Sequence, residues 1–192
     1  MTLNESMPLA ADRLPIVELR RHLRLGTGFG EETVQDEVLE RCLRAALARI
    51  EALTGRAILR RGFTLTVWEW SLAGRQALSR APIERVVSFD LIGPDGVRRE
   101  VPLTFYYVTH GESSAVVAKG GWLPSIPTGG YAEIVFEAGL AADWMRMPAD
   151  LGFAILAQAA ALYEDRMGAS EMPAGVAEAL APWRCLRIGG RR

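Results

Sequence analysis

The spacing of the apolar residues changes twice along this chain of 192 residues, and this change limits the fold more than any single motif does. Apolar residues recur every three or four positions up to residue 54, alternate with polar residues from residue 57, and return to helical spacing at residue 147. This order predicts an α+β fold in which a small antiparallel β-sheet is inserted into a helical body. The predicted divisions are residues 1–56 and 140–183 for the helical body, 57–139 for the inserted sheet and 184–192 for a basic C-terminal tail.

The first helical block carries the strongest periodic signal. It predicts a short helix over residues 14–25, a glycine-rich turn over 26–30 and a long central helix over 32–54 that Gly55 ends. The long helix has two apolar stripes, formed by Val34, Val38, Cys42, Ala46, Ile50 and Leu53 and by Leu39, Leu43 and Leu47. Because one stripe is enough for a helix with one neighbour, the second predicts packing against something outside the domain.

The remaining elements follow from alternation, turn residues and a second helical block. Strands are predicted over residues 63–67, 86–92, 97–101, 105–109, 115–118 and 132–137. Four glycines and two prolines between Gly120 and Gly130 predict an irregular, exposed loop. An alanine-rich helix is predicted over 148–165, and a last short helix over 173–182. The alanines allow close approach of a neighbouring helix, while the polar residues leave the stretch too interrupted to span a bilayer.

Composition excludes several classes of protein. The 22 basic and 23 acidic residues leave a net charge of −1, so no overall field attracts the molecule to nucleic acid or to anionic lipid. Cys42 and Cys185 are too few for a disulfide scaffold, which fits a reducing cytoplasm. Residues 1–12 lack the pattern of a secretory signal peptide.

The residues needed for catalysis do not converge in this sequence. His22 and His110 have no motif around them, and the two cysteines lack the spacing of a zinc site. The acidic pairs Asp143 with Asp150 and Glu164 with Asp165 are explained by a helix cap and by a solvated helix end. We therefore predict that the protein is not an enzyme and has no catalytic residue, metal site or cofactor.

The order of several degenerate motifs resembles the head-tail connector (adaptor) proteins of long-tailed phages and of phage-derived gene transfer agents. The first part of the resemblance is a short helix followed by a long helix that ends at residues 50–59 and then by the strand at 63–67. The proline-marked strand entry at 80–86, the turn at 94–96 and the loop at 120–122 continue it. The last matches are residues 147–151, 163–166 and 172–184, so the resemblance spans about residues 14–187.

The resemblance implies a structural role in a virion or phage-like particle made in the bacterial cytoplasm. It implies a ring, dodecameric in relatives, that lies beneath the portal protein and joins the capsid to a downstream stopper or terminator protein of the neck and tail. In such families the C-terminal helix and tail dock on the portal, a role that falls here on Leu180, Trp183, Arg184, Leu186 and Arg187. Together with the surplus apolar surface of the helices, it predicts subunit contacts at Leu39, Leu43, Leu47, Phe153, Ala157 and Ala160.

A ring of this kind lets the genome pass through its central hole. We predict transient, non-specific phosphate contact from arginines of the first two helices, namely Arg20, Arg21, Arg24, Arg41, Arg44 and Arg49. Two alternatives stay open. A DNA-packaging accessory protein would bind duplex DNA in isolation with strong salt dependence, and a small particle-associated hydrolase would need a pocket of converging acids.

Overall fold

A computed structural model of the chain describes residues 1–26, 32–111, 113–165 and 172–184. It divides into two compact units. The sheet unit contains Met1–Pro8 and Leu59–Leu140, and the helical unit contains Leu9–Ile58 and Ala141–Arg192. The fold is therefore α+β, as the order of the periodic segments predicts. The division differs from the predicted one at the N-terminus, because residues 2–5 form a strand of the sheet unit.

The described part of the helical unit has four α-helices and three short 3-10 turns. The helices are α1 (Ile16–His22), α2 (Glu32–Thr54), α3 (Ala149–Glu164) and α4 (Ala174–Leu180), and the turns are Ala11–Arg13, Trp144–Arg146 and Ala181–Trp183. Gly55 ends α2 as predicted, with a left-handed φ of 69°. The first helix is shorter than predicted because Arg24, also left-handed with a φ of 55°, follows its last turn.

The helical core lies between the apolar faces of these helices. Leu19, Leu39, Leu43, Ile50, Leu151 and Ile155 are all completely buried. Alanines on α3 allow α2 to pack closely against it, as the sequence predicts. The buried carboxylate of Glu51 accepts a hydrogen bond of 2.8 Å from the backbone N–H of Ile58, which fixes the chain where it leaves α2. None of the helices in the described ranges combines the length and apolar character that crossing a bilayer requires.

The sheet unit contains two antiparallel sheets where the sequence predicts one. The strands are β1 (Thr2–Glu5), β2 (Arg61–Val67), β3 (Arg75–Ala77), β4 (Ile83–Ile92), β5 (Arg98–Glu100), β6 (Tyr106–Thr109), β7 (Ala115–Ala118) and β8 (Tyr131–Ala138). Their order is β1-β2-β8-β4-β5 in the five-stranded sheet and β3-β7-β6 in the three-stranded sheet. The two strands absent from the prediction, β1 and β3, are too short and polar to alternate visibly.

Alternation places one face of the five-stranded sheet in the core. Phe63 on β2 lies directly opposite Phe136 on β8, and their stacked rings are 5.7 Å apart. Phe89 on β4 meets Trp70 and Tyr106 edge to face, at 5.7 Å and 5.3 Å between ring centroids. Irregular register between β4 and β8 near Arg85 and Val87 bends this long strand. Contacts between aromatic side chains therefore form the centre of the core of the sheet unit.

Candidate interaction surfaces

The second apolar stripe of α2 is not an exposed surface. Leu39 and Leu43 are completely buried and Leu47 is 6% exposed within the single chain. The prediction that neighbouring copies must cover these three leucines therefore needs correction, because α2 buries both stripes in part against its own unit. Apolar exposure on α2 remains at its two ends, where Val34 and Leu53 are 68% and 44% exposed.

The predicted contact residues of α3 are divided between the surface and the core. Phe153 is 53% exposed, Ala157 is half-buried and Ala160 is buried. Ala157 and Ala160 line a hollow of about 490 Å³ in the helical unit. Its other lining residues are His22, Leu23, Arg24, Ala161, Glu164 and Pro173. Of the predicted contacts, Phe153 is thus the one that offers a large apolar side chain to a partner.

The residues predicted to dock on the portal begin inside the helical unit. Leu180 is completely buried, so it contributes to the fold of its own chain and offers no surface for docking. The indole N–H of Trp183 donates a hydrogen bond of 2.6 Å to the carboxylate of Asp150, and its carbonyl accepts one of 3.1 Å from Arg56 Nε. Arg184 is exposed. Leu186 and Arg187 lie outside the described residues.

The six arginines predicted to contact DNA differ in their surroundings. Arg20 forms an ion pair with Asp36, and Arg44 forms one of 2.7 Å with Glu40 one turn earlier. Arg21, Arg24, Arg41 and Arg49 are exposed. Because a neighbouring carboxylate compensates the charge of Arg20 and Arg44, the exposed Arg21, Arg24 and Arg41 are better placed to contact a phosphate.

The outer face of the five-stranded sheet is neutralised by cross-strand ion pairs. Arg85 on β4 donates to Glu137 on β8 at 2.7 Å, and Arg98 on β5 donates to Glu133 at 2.6 Å. The hydrogen bond from Arg85 lowers the pKa of Glu137, because it stabilises the ionised carboxylate. This face therefore offers charge pairs rather than a patch of one sign.

The groups that carry chemistry in other proteins are dispersed here. Burial raises the pKa of the Cys42 thiol above its ordinary value of 9.0, so the thiol is protonated at neutral pH. His110 Nδ1 lies 3.0 Å from the carbonyl of Ile83, and Asp143 caps the turn that follows it by accepting from the N–H of Arg146 at 3.0 Å. Within the described ranges, no three histidine, cysteine or acidic side chains come together in a way that would hold a metal ion.

Sequence reasoning missed an apolar surface in the sheet unit. Four large apolar side chains at one end of the three-stranded sheet are between 56% and 75% exposed: Leu72, Leu103, Phe105 and Trp122. The signal was present in the glycine-rich loop, where a tryptophan follows two glycines and has no periodic context that would bury it. We call these four residues the loop-end patch.

The fold and sequence of the whole chain are similar to those of chains in solved structures. No protein-family model matches the chain, and no curated protein matches its sequence. A chain in the neck of an empty gene transfer agent (GTA) particle, computed with C6 symmetry, is 38% identical, with all of both chains covered and a TM-score of 0.92.

Two further solved structures agree. A chain in the neck of a native GTA particle, computed with C12 symmetry, is 36% identical over all of both chains, with a TM-score of 0.87. A chain of the virion of a native GTA particle is 39% identical, covers all of this chain and 99% of that one, and has a TM-score of 0.87. Identity at this level over the full length exceeds what a shared fold alone requires. The chain belongs to the family of neck proteins of gene transfer agent particles.

Proposed function

We propose that this protein is a structural head-tail connector, which forms a ring beneath the portal and joins the capsid to the neck and tail. The observation that carries the proposal is the full-length similarity to chains of GTA necks at 36% and 38% identity. The chain acts by geometry and not by catalysis, and it uses no cofactor. Whether the particle is an infectious phage or a gene transfer agent does not alter this role.

The ring is built from copies of the chain related by rotation. The relatives' necks were computed with sixfold and twelvefold symmetry, which supports a closed ring, dodecameric at full occupancy. A closed ring requires each copy to present one face to a different face of its neighbour. The exposed Phe153 belongs to such a face, because a large apolar side chain in a partly packed surface is typical of a subunit contact.

Attachment to the portal begins after Trp183. Its two hydrogen bonds, to Asp150 and from Arg56, fix the base of the C-terminal tail on the helical unit. Arg184 and the following Leu186 and Arg187 then supply guanidinium and apolar groups for a groove on the portal. Twelve such tails bind together, so modest single contacts add up by avidity.

The hole of the ring lets DNA pass. Arg21, Arg24 and Arg41 are exposed and make the contacts with the phosphate backbone. These contacts are few and non-specific, so the isolated protein binds duplex DNA weakly. A stopper or terminator protein of the tail occupies the opposite side of the ring.

A truncation after Arg184 tests the proposal in particle-producing cells. We expect the truncated chain to keep the melting temperature of the full chain, because the removed residues follow the anchored Trp183. The amount of the chain that copurifies with capsids falls about tenfold or more, as twelve contacts are lost together. Arg146→Ala is the matched control, since it removes a highly exposed arginine elsewhere in the helical unit and leaves attachment unchanged.

Two results would contradict the proposal. Absence of the full-length chain from purified particles would reject a neck role, and normal attachment of the truncated chain would reject docking through the tail. Binding of the isolated chain to duplex DNA, with an affinity that falls steeply with salt, would instead favour the packaging accessory protein.

A further inference from the structure

The loop-end patch is held together by backbone contacts at one end of the three-stranded sheet. The N–H of Lys119 donates to the carbonyl of Phe105 at 2.9 Å, and its ammonium donates to the carbonyl of Leu103 at 2.8 Å. The N–H of Leu123 donates to the carbonyl of Ala73 at 2.8 Å, which brings the segment of Leu72 beside that of Trp122. The start of β6, the end of β7 and the start of β3 thus present one surface.

A close backbone approach makes this surface rigid. A Cβ atom on Gly74 would lie 2.3 Å from the carbonyl oxygen of Gly121, so only glycine allows the two loops to pack this tightly. The contact fixes the residue before Trp122, whose side chain is nevertheless 75% exposed. A rigidly mounted, exposed indole loses little conformational freedom on binding, which makes it a good anchor for an interface.

The loop between β7 and β8, which contains Trp122, also contributes Pro127 to a hollow at the β4–β5 hairpin. The hollow measures about 230 Å³ and is lined by Leu91, Gly93, Pro94, Asp95, Val97, Arg99 and Pro127. Its walls are mainly apolar, and its charged groups are the carboxylate of Asp95 and the guanidinium of Arg99. Asp95 is exposed and fixed by accepting a hydrogen bond of 3.1 Å from the N–H of Val97.

We propose that Trp122 of one copy inserts into the hairpin hollow of the next copy in the ring. The ammonium of Lys119 in the first copy then lies against the carboxylate of Asp95 in the next copy. The guanidinium of Arg99 in the next copy lies against the indole of Trp122, where a cation–π interaction is favourable. The occupant is a second copy because the chain itself supplies both halves of a contact with complementary charges, Lys119 beside the indole and Asp95 at the hollow. The patch that contains Trp122 lies at one end of the three-stranded sheet and the hollow lies at a hairpin of the five-stranded sheet, so the contact joins two unlike surfaces, as a closed ring requires.

This inference depends on the proposed ring and adds one of its contacts. It also assigns a role to Lys119, the one lysine of the sequence, which no other part of the proposed function uses. Within the described part of the chain, neither Lys119 nor Asp95 takes part in an ion pair. Both charges are therefore available for pairing between copies.

A charge reversal in particle-producing cells tests the contact. Lys119→Glu alone and Asp95→Lys alone each place like charges together and should lower the number of particles that contain the chain about tenfold. The double variant restores the attraction and should recover most of the loss. Trp122→Ala should lower the number about thirtyfold, the effect expected of a central aromatic anchor. Val87→Ala, an exposed apolar side chain of the same unit, is the matched control and should have no effect.

Disulfide crosslinking gives an independent readout. In a chain whose Cys42 and Cys185 are changed to serine, Lys119→Cys and Asp95→Cys together keep the Trp122 anchor and should give a ladder of linked copies from assembled particles on a non-reducing gel. Either cysteine alone should give none. The melting temperature of every variant is measured first, and equal values show that a loss of assembly is not a loss of folding.

The failure of this inference is distinct from failure of the ring. Particles that contain normal amounts of the Trp122→Ala chain, or a double charge reversal no better than the single ones, would overturn the contact and leave the neck role intact. Absence of the unmodified chain from particles would overturn both.

Discussion

The two units of this protein differ in how many of their large apolar side chains are exposed. Among the described residues, the helical unit buries most of the leucines and isoleucines of its helices and leaves Phe153 as its exposed aromatic side chain. The sheet unit buries three phenylalanines in its core but leaves Trp68, Phe105, Tyr107 and Trp122 about half exposed or more. Exposed large apolar surface is therefore concentrated in the sheet unit, on loops and strand ends.

This difference in apolar exposure follows from how helices and short strands pack against their neighbours. A helix of 23 residues can turn two stripes toward two packing partners of its own unit, as α2 does. The three-stranded sheet has strands of only three or four residues, and four large apolar side chains at one of its ends are left exposed. Apolar residues retained in such loops have a reason other than folding, and binding is the usual one.

Substitution of a buried leucine in α2 gives the largest expected effect. Leu43→Ala should lower the free energy of unfolding of the unassembled chain by about 2–5 kcal/mol, because it empties a completely buried site. The measurement is urea unfolding of the purified protein. Trp122→Ala is the matched comparison and should leave the unfolding midpoint unchanged, because the indole is 75% exposed.

The opposite pattern would reverse the comparison between the units. A Leu43→Ala chain of normal stability that fails to assemble would show that the sequence-based assignment of α2 to the subunit contact was right. A Trp122→Ala chain of low stability would show that the indole belongs to the fold of the sheet unit.

The sequence predicts the α+β class and the bounds of α2, because a 23-residue periodic signal between glycines leaves few alternatives. It does not predict the second sheet, since three residues at β3 cannot show alternation. It also fails to distinguish an apolar residue that its own chain covers, such as Leu39, from one that its own chain leaves exposed, such as Phe153. Both look alike on a helix, and the difference lies in contacts between residues far apart in the chain.

Removal of the hydrogen bond between Trp183 and Asp150 should have a smaller effect on the free energy of unfolding. Trp183→Phe keeps the ring but removes the N–H that donates to Asp150, and we expect a loss of about 1 kcal/mol in the free energy of unfolding. Asp150→Asn is the control, because it keeps a hydrogen-bond acceptor at the same position, and it should lower the free energy of unfolding by less than Trp183→Phe does. A double-mutant cycle with Asp150→Ala isolates the pair. A coupling energy of zero would show that the tail base in the helical unit is not anchored by this contact.

The smallest expected effect concerns the charged face of the sheet unit and its dependence on pH. The hydrogen bond and charge of Arg85 lower the pKa of Glu137 below its ordinary value of 4.5, so the pair stabilises the folded chain above that pH. As the pH falls from 4.5 through the lowered pKa, the carboxylate becomes protonated and this stabilisation is lost. The effect is small because the pair is exposed to solvent.

Comparison with Arg85→Met separates this contribution from the other carboxylates, which titrate in both proteins. The urea midpoint of the variant should lie slightly below that of the unmodified chain at neutral pH, and the two midpoints should converge at successive pH values below 4.5. A constant difference at all pH values would mean that Arg85 acts through its packing on the sheet and not through the charge of Glu137. In that case Arg85 would contribute by packing, as we expect of Leu43 in the helical unit.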